Sequence, residues 1–346
     1  MQAFGAAKPL RPRLADMTRR ALLTALLALP VLAACEKPML GQEKPAMRPK
    51  VLQKRMEAIA AHARPAVLGV AVEDLGTRQL WAFNGDYPFT LGGAARIPIL
   101  AAVMAETEAG RLPETEVLTV RDVDLSQPPS AVADAWPGRQ TWSVSELEAL
   151  ARRGDNTALD LLTQRVGGPG GVNGWLDVKR IENVSVDRYR RQIATDARGL
   201  ASFRAAWKGE AAWRKAVASV PADQRARAAL ERRTDPRDTA TPVGMVRLLE
   251  AFINRELIYR PDPARLLGRD PGYLAAALPK GATIIQSAGA APPDLGVSPT
   301  SHAVAIVELK DGRRIAFAVF LAASPVEAAR REAVVAEVGR AVLDEF

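Results

Sequence analysis

The sequence predicts an α+β fold, because strand-type segments lie towards both ends of the chain and helical periodicity occupies its middle. Residues 68–83 contain two short apolar strands that are separated by a turn. Residues 303–321 contain two more, joined by Asp311-Gly312, a dipeptide that is typical of hairpins. Between these regions, apolar residues recur at three- and four-residue spacing, which is typical of helices that bury one face.

Composition and charge exclude one class of partner. The chain has 346 residues, of which 48% are hydrophobic and 25% charged, so it is long enough for one large or two modest cores. Half of the formal charge of +8 belongs to residues 1–34, which carry five basic residues against one acidic residue. In the rest of the chain basic and acidic residues alternate, without a basic strip studded with aromatic residues. We therefore expect no nucleic-acid partner.

The first 34 residues are typical of an export signal. Arg19 and Arg20 precede an apolar run, 21–34, that is too short to span a bilayer. The run ends at Cys35, the only cysteine, in a pattern that resembles the lipobox of bacterial lipoproteins. We therefore expect residues 1–34 to be a lipoprotein signal peptide and Cys35 to be lipidated. The alternatives are a plain cleaved signal with an incidental cysteine, and a chain that starts at Met17.

A tether and a first helix are expected after the leader. Residues 36–50 are polar, proline-rich and aperiodic, so we assign 35–50 as a tether. A helix is predicted over 51–63, in front of the first strand pair. Residues 51–346 are then expected to form the folded domain, which closes with a helix over 326–343.

The stretch 89–104 combines a strand with a helix. Gly92 and Gly93 mark the turn, and Ile97, Leu100 and Met104 continue as one apolar stripe. We expect Gly93 to cap this helix, whose free N–H groups form an anion hole of the kind that acyl transfer uses.

This stretch resembles the nucleophile helix of class A serine β-lactamases and the related penicillin-binding proteins, which reads S-x-x-K. Counting from Phe89, the serine position falls on Gly93 and the lysine position on Arg96. Glycine has no side chain to acylate, and guanidinium cannot be deprotonated to act as a base in a protein. The resemblance therefore implies the fold without the family's nucleophile and base.

Two further motifs carry the same resemblance. Gly154-Asp155-Asn156 stands where relatives have S-D-N, so the serine hydroxyl is missing. Ser287-Ala288-Gly289 follows a strand predicted over 282–286 and stands where relatives have K-T-G. We expect the Ser287 hydroxyl to make a surface hydrogen bond, because a lone hydroxyl without a base is a weak nucleophile.

The omega loop of the family is also recognisable. RDTATP (237–242) is similar to its closing motif, and Arg190 stands where relatives carry the glutamate that activates water. The resemblance implies a bidentate ion pair between Arg188 and Asp238. These residues are much further apart in sequence than in ordinary relatives, which indicates an arginine-rich, helix-forming insertion at about 192–236.

The insertion has two possible roles. Phe203 with Trp207, and Trp213 with Val217, lie four residues apart and could dock onto the body of the domain. We interpret the insertion as a packed lid with a solvated charged face, and the alternative is a surface for a partner protein of the envelope.

No other chemistry is evident in the sequence. His62 and His302 lack companions at metal-ligand spacing, so packing or surface roles are expected for both. Asp122 and Asp124 lie in a predicted loop without further ligands, so a solvated turn is favoured over a calcium site. We predict neither a metal nor a cofactor.

The resemblance implies two lobes, an α/β lobe with an antiparallel sheet (51–92 and 280–346) and an all-helical lobe (93–279). We expect a periplasmic, lipid-anchored pseudoenzyme, with the outer membrane favoured by family habit. Its groove should hold an anionic small molecule, a cell-wall fragment or an envelope protein, unless Asp155 or other neighbours neutralise Arg96 and Arg190. The alternatives are a scaffold, and an active β-lactamase or cell-wall peptidase that uses nonstandard residues.

Overall fold

The structure, a computed structural model, describes residues 47–269, 272–291, 293 and 295–346. Its helices are α1 Pro49–Ala63, α2 Arg96–Glu108, α3 Ala131–Ala135, α4 Val144–Arg152, α5 Asn156–Arg165, α6 Gly168–Val178, α7 Arg190–Asp196, α8 Glu210–Ala218, α9 Ala222–Thr234, α10 Pro242–Ile253, α11 Pro263–Leu267 and α12 Ala328–Leu343. Its strands are β1 Val67–Asp74, β2 Gln79–Phe83, β3 Phe89–Thr90, β4 Val117–Thr119, β5 Thr141–Ser143, β6 Thr239–Ala240, β7 Thr283–Ala290, β8 Ser298–Glu308 and β9 Arg314–Ser324.

The centre of the fold is a five-stranded antiparallel sheet in the order β2-β1-β9-β8-β7. The predicted hairpin is confirmed, because β8 and β9 pair antiparallel around Asp311-Gly312 and Gly312 takes φ +83°. Both strands are longer than predicted, and β7 continues through Ser287-Ala288-Gly289 instead of ending before it. The α+β prediction is confirmed.

Each face of the sheet belongs to a different core. One core joins the sheet to α1 and α12, and includes Phe317, Val319 and Val338. The other joins it to the helical lobe, and includes Phe320, Leu100 and Phe252. Alternate residues of β9 therefore point into opposite cores, as the two-residue period of a strand requires.

The structure corrects two of the expected boundaries. The tether was expected to reach residue 50, but Met47 is buried, α1 begins at Pro49, and Arg48 pairs with Glu345 at 2.7 Å. The helical lobe was expected to end at residue 279, but Leu274 and Ala277 pack with α12 in the core of the α/β lobe. The expected signal peptide, Cys35 and most of the tether lie outside the described residues.

The helix expected from Gly93 to Gly110 begins differently. Gly92–Ala95 form one turn of 3-10 helix, and α2 starts only at Arg96. Gly93 is therefore inside the turn and is not a cap. Gly92 takes φ +54°, and a Cβ there would lie 2.4 Å from Thr300 Cγ2, so the tight turn requires glycine.

The described part of the chain contains no helix that is both long enough and apolar enough to cross a membrane.

Candidate functional site

A cleft of about 510 Å³ lies between the turn at Gly92–Ala95 and the insertion helices. Its floor contains Gly92, Gly93 and Asn156, and one edge is the end of β7. Its opposite wall comes from α7, α8 and α9. The volume is within the range of small-molecule sites in proteins.

The space in front of Gly93 is filled by a histidine. A Cβ at Gly93 would lie 2.9 Å from Cε1 of His302, closer than real Cβ contacts allow. His302 lies on β8 opposite Gly289, whose missing side chain leaves room for the ring. The imidazole therefore occupies the volume into which a side chain at position 93 would project.

His302 is kept neutral by its surroundings. Its side chain is only 1% exposed. Burial lowers the pKa of His302 well below 6.5, and the charges of Arg96 and Arg190 lower it further. Nε2 lies 3.3 Å from Ser287 Oγ, whereas Nδ1 has no hydrogen-bond partner among the described residues.

The prediction for Ser287 was wrong. Its hydroxyl is fully buried against His302 and makes no surface hydrogen bond. A hydroxyl beside a neutral imidazole is the unit that nucleophilic catalysis uses. Neither Ser287 nor His302 lines the cleft, however, so no substrate reaches this pair in the described conformation.

The sequence did not reveal the Ser287–His302 contact. It depends on the register of β7 against β8, which pairs Ser287 with Val304 and Gly289 with His302. The long β7–β8 connection carries no short hairpin signal that would set this register. The available signal was that Ser287 and His302 are polar residues next to the apolar residues Ile284-Ile285 and 303–307.

Arg96, at the position that the resemblance gives to the family lysine, lies next to this pair. Its Nη2 is 3.5 Å from the carbonyl oxygen of Ala288. Because arginine stays protonated in proteins, Arg96 supplies a fixed positive charge and no base.

The residues Gly154, Asp155 and Asn156 build the wall next to the turn. Asp155 caps α5 by accepting from the backbone of Ala158, and it also accepts from Ser130 Oγ at 2.8 Å. Asn156 donates to the carbonyl oxygens of Gln127 and Pro129. Asp155 is therefore occupied by its own helix and loop.

Arg190 begins α7, where its backbone N–H donates to the buried carboxylate of Asp160 at 2.5 Å. Its side chain turns to the cleft, with Nε 3.4 Å from Asn156 Oδ1. Burial lowers the pKa of Arg190, and Asp160 and Asp238 offset part of that shift. The guanidinium remains a cation in a partly buried position.

The guanidinium of Arg188 contacts three carboxylates. Nε lies 2.7 Å from Asp238, Nη2 3.0 Å from Asp235 and Nη1 2.8 Å from Asp196. The guanidinium makes one hydrogen bond with Asp238 and not the expected bidentate pair, because its other nitrogens reach the ends of the insertion. The backbone N–H of Arg188 donates to the second oxygen of Asp238 at 3.0 Å. Arg188 therefore joins α7 to the segment that follows α9.

The insertion packs on the body through aromatic residues. Phe203, Trp207 and Trp213 lie with ring centroids 5.9–6.4 Å apart, and the Lys208 ammonium is 5.4 Å from the Trp136 ring. Of the two expected pairs at four-residue spacing, Trp213 and Val217 are helical neighbours on α8. Phe203 and Trp207 are not, because Phe203 precedes the short 3-10 turn that contains Trp207.

The cleft is strongly cationic. Arg190, Arg198, Arg232 and Arg233 line it, and no described lining residue is acidic. Burial lowers the pKa of Arg232 to about 10, and the charges of Arg190 and Arg198 contribute. Its Nε has no hydrogen-bond partner among the described residues. These charges favour an anion in the cleft.

No group of three or more histidine, cysteine or acidic side chains within the described ranges is arranged to hold a metal ion.

Comparison with known proteins identifies the family of this chain. The sequence model of the beta-lactamase enzyme family matches residues 50–346. The chain therefore belongs to the beta-lactamase enzyme family.

The chain is similar to β-lactamase VEB-1 of Pseudomonas aeruginosa, with 19% identity over 288 residues that cover 80% of this chain and 85% of that protein. Its fold is similar to an ancestral class A β-lactamase of Gram-negative bacteria, with a TM-score of 0.65, 25% identity and coverage of 85% and 100%. A β-lactamase from Chitinophaga pinensis DSM 2588 shares the fold, with a TM-score of 0.65, 21% identity and coverage of 85% and 98%.

Proposed function

We propose that this protein is a non-hydrolysing member of the β-lactamase family that binds an anionic ligand in its cleft. The observation that carries the proposal is the His302 imidazole, which fills the space of a side chain at Gly93. Removing one member of a nucleophile–base unit already abolishes most of an enzyme's rate. Here Gly93 offers no hydroxyl and Arg96 no base, whereas the packing of α2 requires neither.

The charge of the cleft supports an anionic ligand. Arg190 and Arg232 are partly buried, and a cation held away from water is stabilised by an oppositely charged partner. A small carboxylate or phosphate, or an anionic cell-wall fragment, is the ligand class that we propose.

The leader supports a location in the cell envelope. We propose that Cys35 carries a lipid anchor on the periplasmic side of a bacterial membrane, with the outer membrane favoured. Metabolic labelling with a fatty acid should mark the wild type and not Cys35→Ser. Labelling of both variants, or of neither, would contradict lipidation at this residue.

Covalent labelling tests the loss of hydrolysis. The full chain carrying Cys35→Ser, which removes the expected lipidation site, should form no adduct with a fluorescent penicillin, whereas an active class A β-lactamase should be labelled. The variant Gly93→Ser/Arg96→Lys should also stay unlabelled, because His302 still occupies the space of the new hydroxyl. An adduct on the native chain would end the proposal.

One observation favours an active enzyme as the second candidate, namely the contact between Ser287 and His302. An active β-lactamase or cell-wall peptidase could use this pair only if the strand ends opened, because Ser287 is fully buried. Turnover of a chromogenic cephalosporin that is lost in Ser287→Ala would establish this alternative. We expect no turnover above that of the denatured chain.

A further inference from the structure

We infer that the ligand of the cleft is a phosphate monoester of a hydrocarbon chain, bound with its phosphate at the arginines and its chain along the insertion helices. This inference rests on the proposed anion-binding function and adds the apolar part of the ligand and the charge of its head.

The wall on α9 has one apolar face. Ala226, Ala229 and Leu230 lie at three- and four-residue spacing and line the cleft together, and Arg233 follows them on the same side of the helix. Leu230 is 62% exposed, although it is a large apolar residue on the rim of the cavity. The small alanine side chains leave open volume that is bounded by methyl groups.

The wall on α7 continues this surface. Ile193, Ala194 and Ala197 face the cleft at the same helical spacing, and Trp213 of α8 closes the end between the two helices. Across the cleft, Leu295 is 49% exposed. This apolar part of the cleft, with two exposed leucines at its mouth, fits a hydrocarbon chain better than a sugar or a peptide, whose polar groups would lack partners there.

The head of the ligand is assigned from the charges. Arg232 lines the cleft with Arg190, and Arg232 Nε has no hydrogen-bond partner among the described residues. Asp238 offsets part of the positive charge around Arg232. A phosphate monoester carries up to two negative charges and three acceptor oxygens, so it neutralises this group better than a carboxylate does. Guanidinium groups also bind phosphate through paired N–H donors.

The affinity should depend on the length of the ligand's hydrocarbon chain, because the wall of the cleft on α7 and α9 is apolar. Each methylene that enters the cavity should strengthen binding by about threefold to fourfold. This increase should stop when the chain fills the cavity of about 510 Å³. Loss of one guanidinium contact with the phosphate should weaken binding by about tenfold or more.

Isothermal titration of the full chain with Cys35→Ser tests the inference, with all ligands below their critical micelle concentrations. The probes are inorganic phosphate, butyl, octyl and decyl phosphate, decanoate, and the neutral octyl glucoside. We expect affinity to rise from butyl to decyl phosphate, with decanoate weaker than decyl phosphate and octyl glucoside weaker than octyl phosphate.

Matched variants locate the two parts of the ligand. Arg232→Gln should weaken all phosphates about equally, whereas Arg214→Gln, an exposed arginine on α8 that pairs with Glu210 at 3.6 Å, should change nothing. Leu230→Asn should weaken decyl phosphate more than butyl phosphate. Val178→Asn, at a 79% exposed site away from the cleft, is its control.

The outcomes separate this inference from the proposed function. Equal affinity for inorganic and decyl phosphate would overturn the hydrocarbon part and leave anion binding intact. Binding of octyl glucoside as tight as that of octyl phosphate would overturn the anionic head. If none of these probes binds, this inference is overturned. The proposed loss of hydrolysis is tested separately, by the penicillin labelling.

Discussion

Gly93→Ser is the substitution that most directly tests the role of His302. A new Cβ at position 93 would lie 2.9 Å from Cε1, 3.7 Å from Nδ1 and 3.8 Å from Nε2 of the imidazole. The φ of Gly93 lies outside the left-handed region, so the backbone itself accepts serine. The collision with the buried ring is therefore the only cost that we expect from the change.

The size of this cost follows from packing. His302 is 1% exposed and held in the sheet, so it cannot swing into solvent to avoid the serine. Overpacking of a buried site costs about 1–3 kcal/mol in the free energy of unfolding. For a domain of this size, that corresponds to a fall of about 2–6 °C in melting temperature.

Thermal and urea unfolding of four chains measure the effect: wild type, Gly93→Ser, His302→Ala and the double variant. In the His302→Ala background the serine should cost at least about 1 kcal/mol less, because the ring is gone. Gly174→Ser, at an exposed helical site with no heavy atom within 4 Å, is the matched control and should not lower the melting temperature. Equal penalties in both backgrounds would refute the steric argument.

Three further changes test other parts of the structure. Because the pKa of buried His302 is below 6.5, the unfolded chain takes up that proton first, so stability should fall as pH drops below 6.5. His302→Gln should remove this slope, which is at most about 1.4 kcal/mol per pH unit in urea unfolding. Glu73 acts in the opposite direction, because burial raises its pKa from 4.5 to about 7. Its contribution to the free energy of unfolding is complete below pH 4.5 and is lost as pH rises through 7. Glu73→Gln should therefore flatten this part of the dependence of stability on pH. Arg188→Ala should lower the free energy of unfolding by about 3–5 kcal/mol, because it leaves the 2% exposed carboxylate of Asp238 without its guanidinium.

Controls separate these effects from general destabilisation. Comparing the urea unfolding of His302→Gln and Glu73→Gln with wild type at the same pH gives the contribution of each side chain. If a variant keeps the wild-type slope of unfolding free energy against pH, the pKa shift assigned to that residue is contradicted. Arg227→Ala, whose exposed pair with Asp223 is 3.1 Å long, should cost less than about 1 kcal/mol. A similar loss in both arginine variants would show that Arg188 has no special role.

The sequence predicted the parts of the fold that depend on local rules. The β8–β9 hairpin follows from two apolar runs around Asp311-Gly312, and the closing helix predicted over 326–343 is α12, Ala328–Leu343. Both signals act over a few residues, so they survive without knowledge of the tertiary structure.

The centre of the site was not predictable in the same way. His302 meets Gly93 and Ser287 through the pairing of two strands that a long connection separates. Histidine is compatible with both surface and core, so its burial is decided by tertiary contacts. The sequence likewise indicated that the insertion is helical and rich in arginine. It did not indicate that α9 forms a wall of the cleft.

The buried imidazole next to Gly93 also constrains the order of substitutions by which the chain could acquire a serine at position 93. A serine introduced first at position 93 meets the ring, and a small residue introduced first at position 302 leaves Ser287 Oγ without its partner at 3.3 Å. Either single step lowers stability before any new activity arises. Such a barrier opposes the entry of a serine at position 93 by single substitutions, so His302 and Gly93 should change together or not at all.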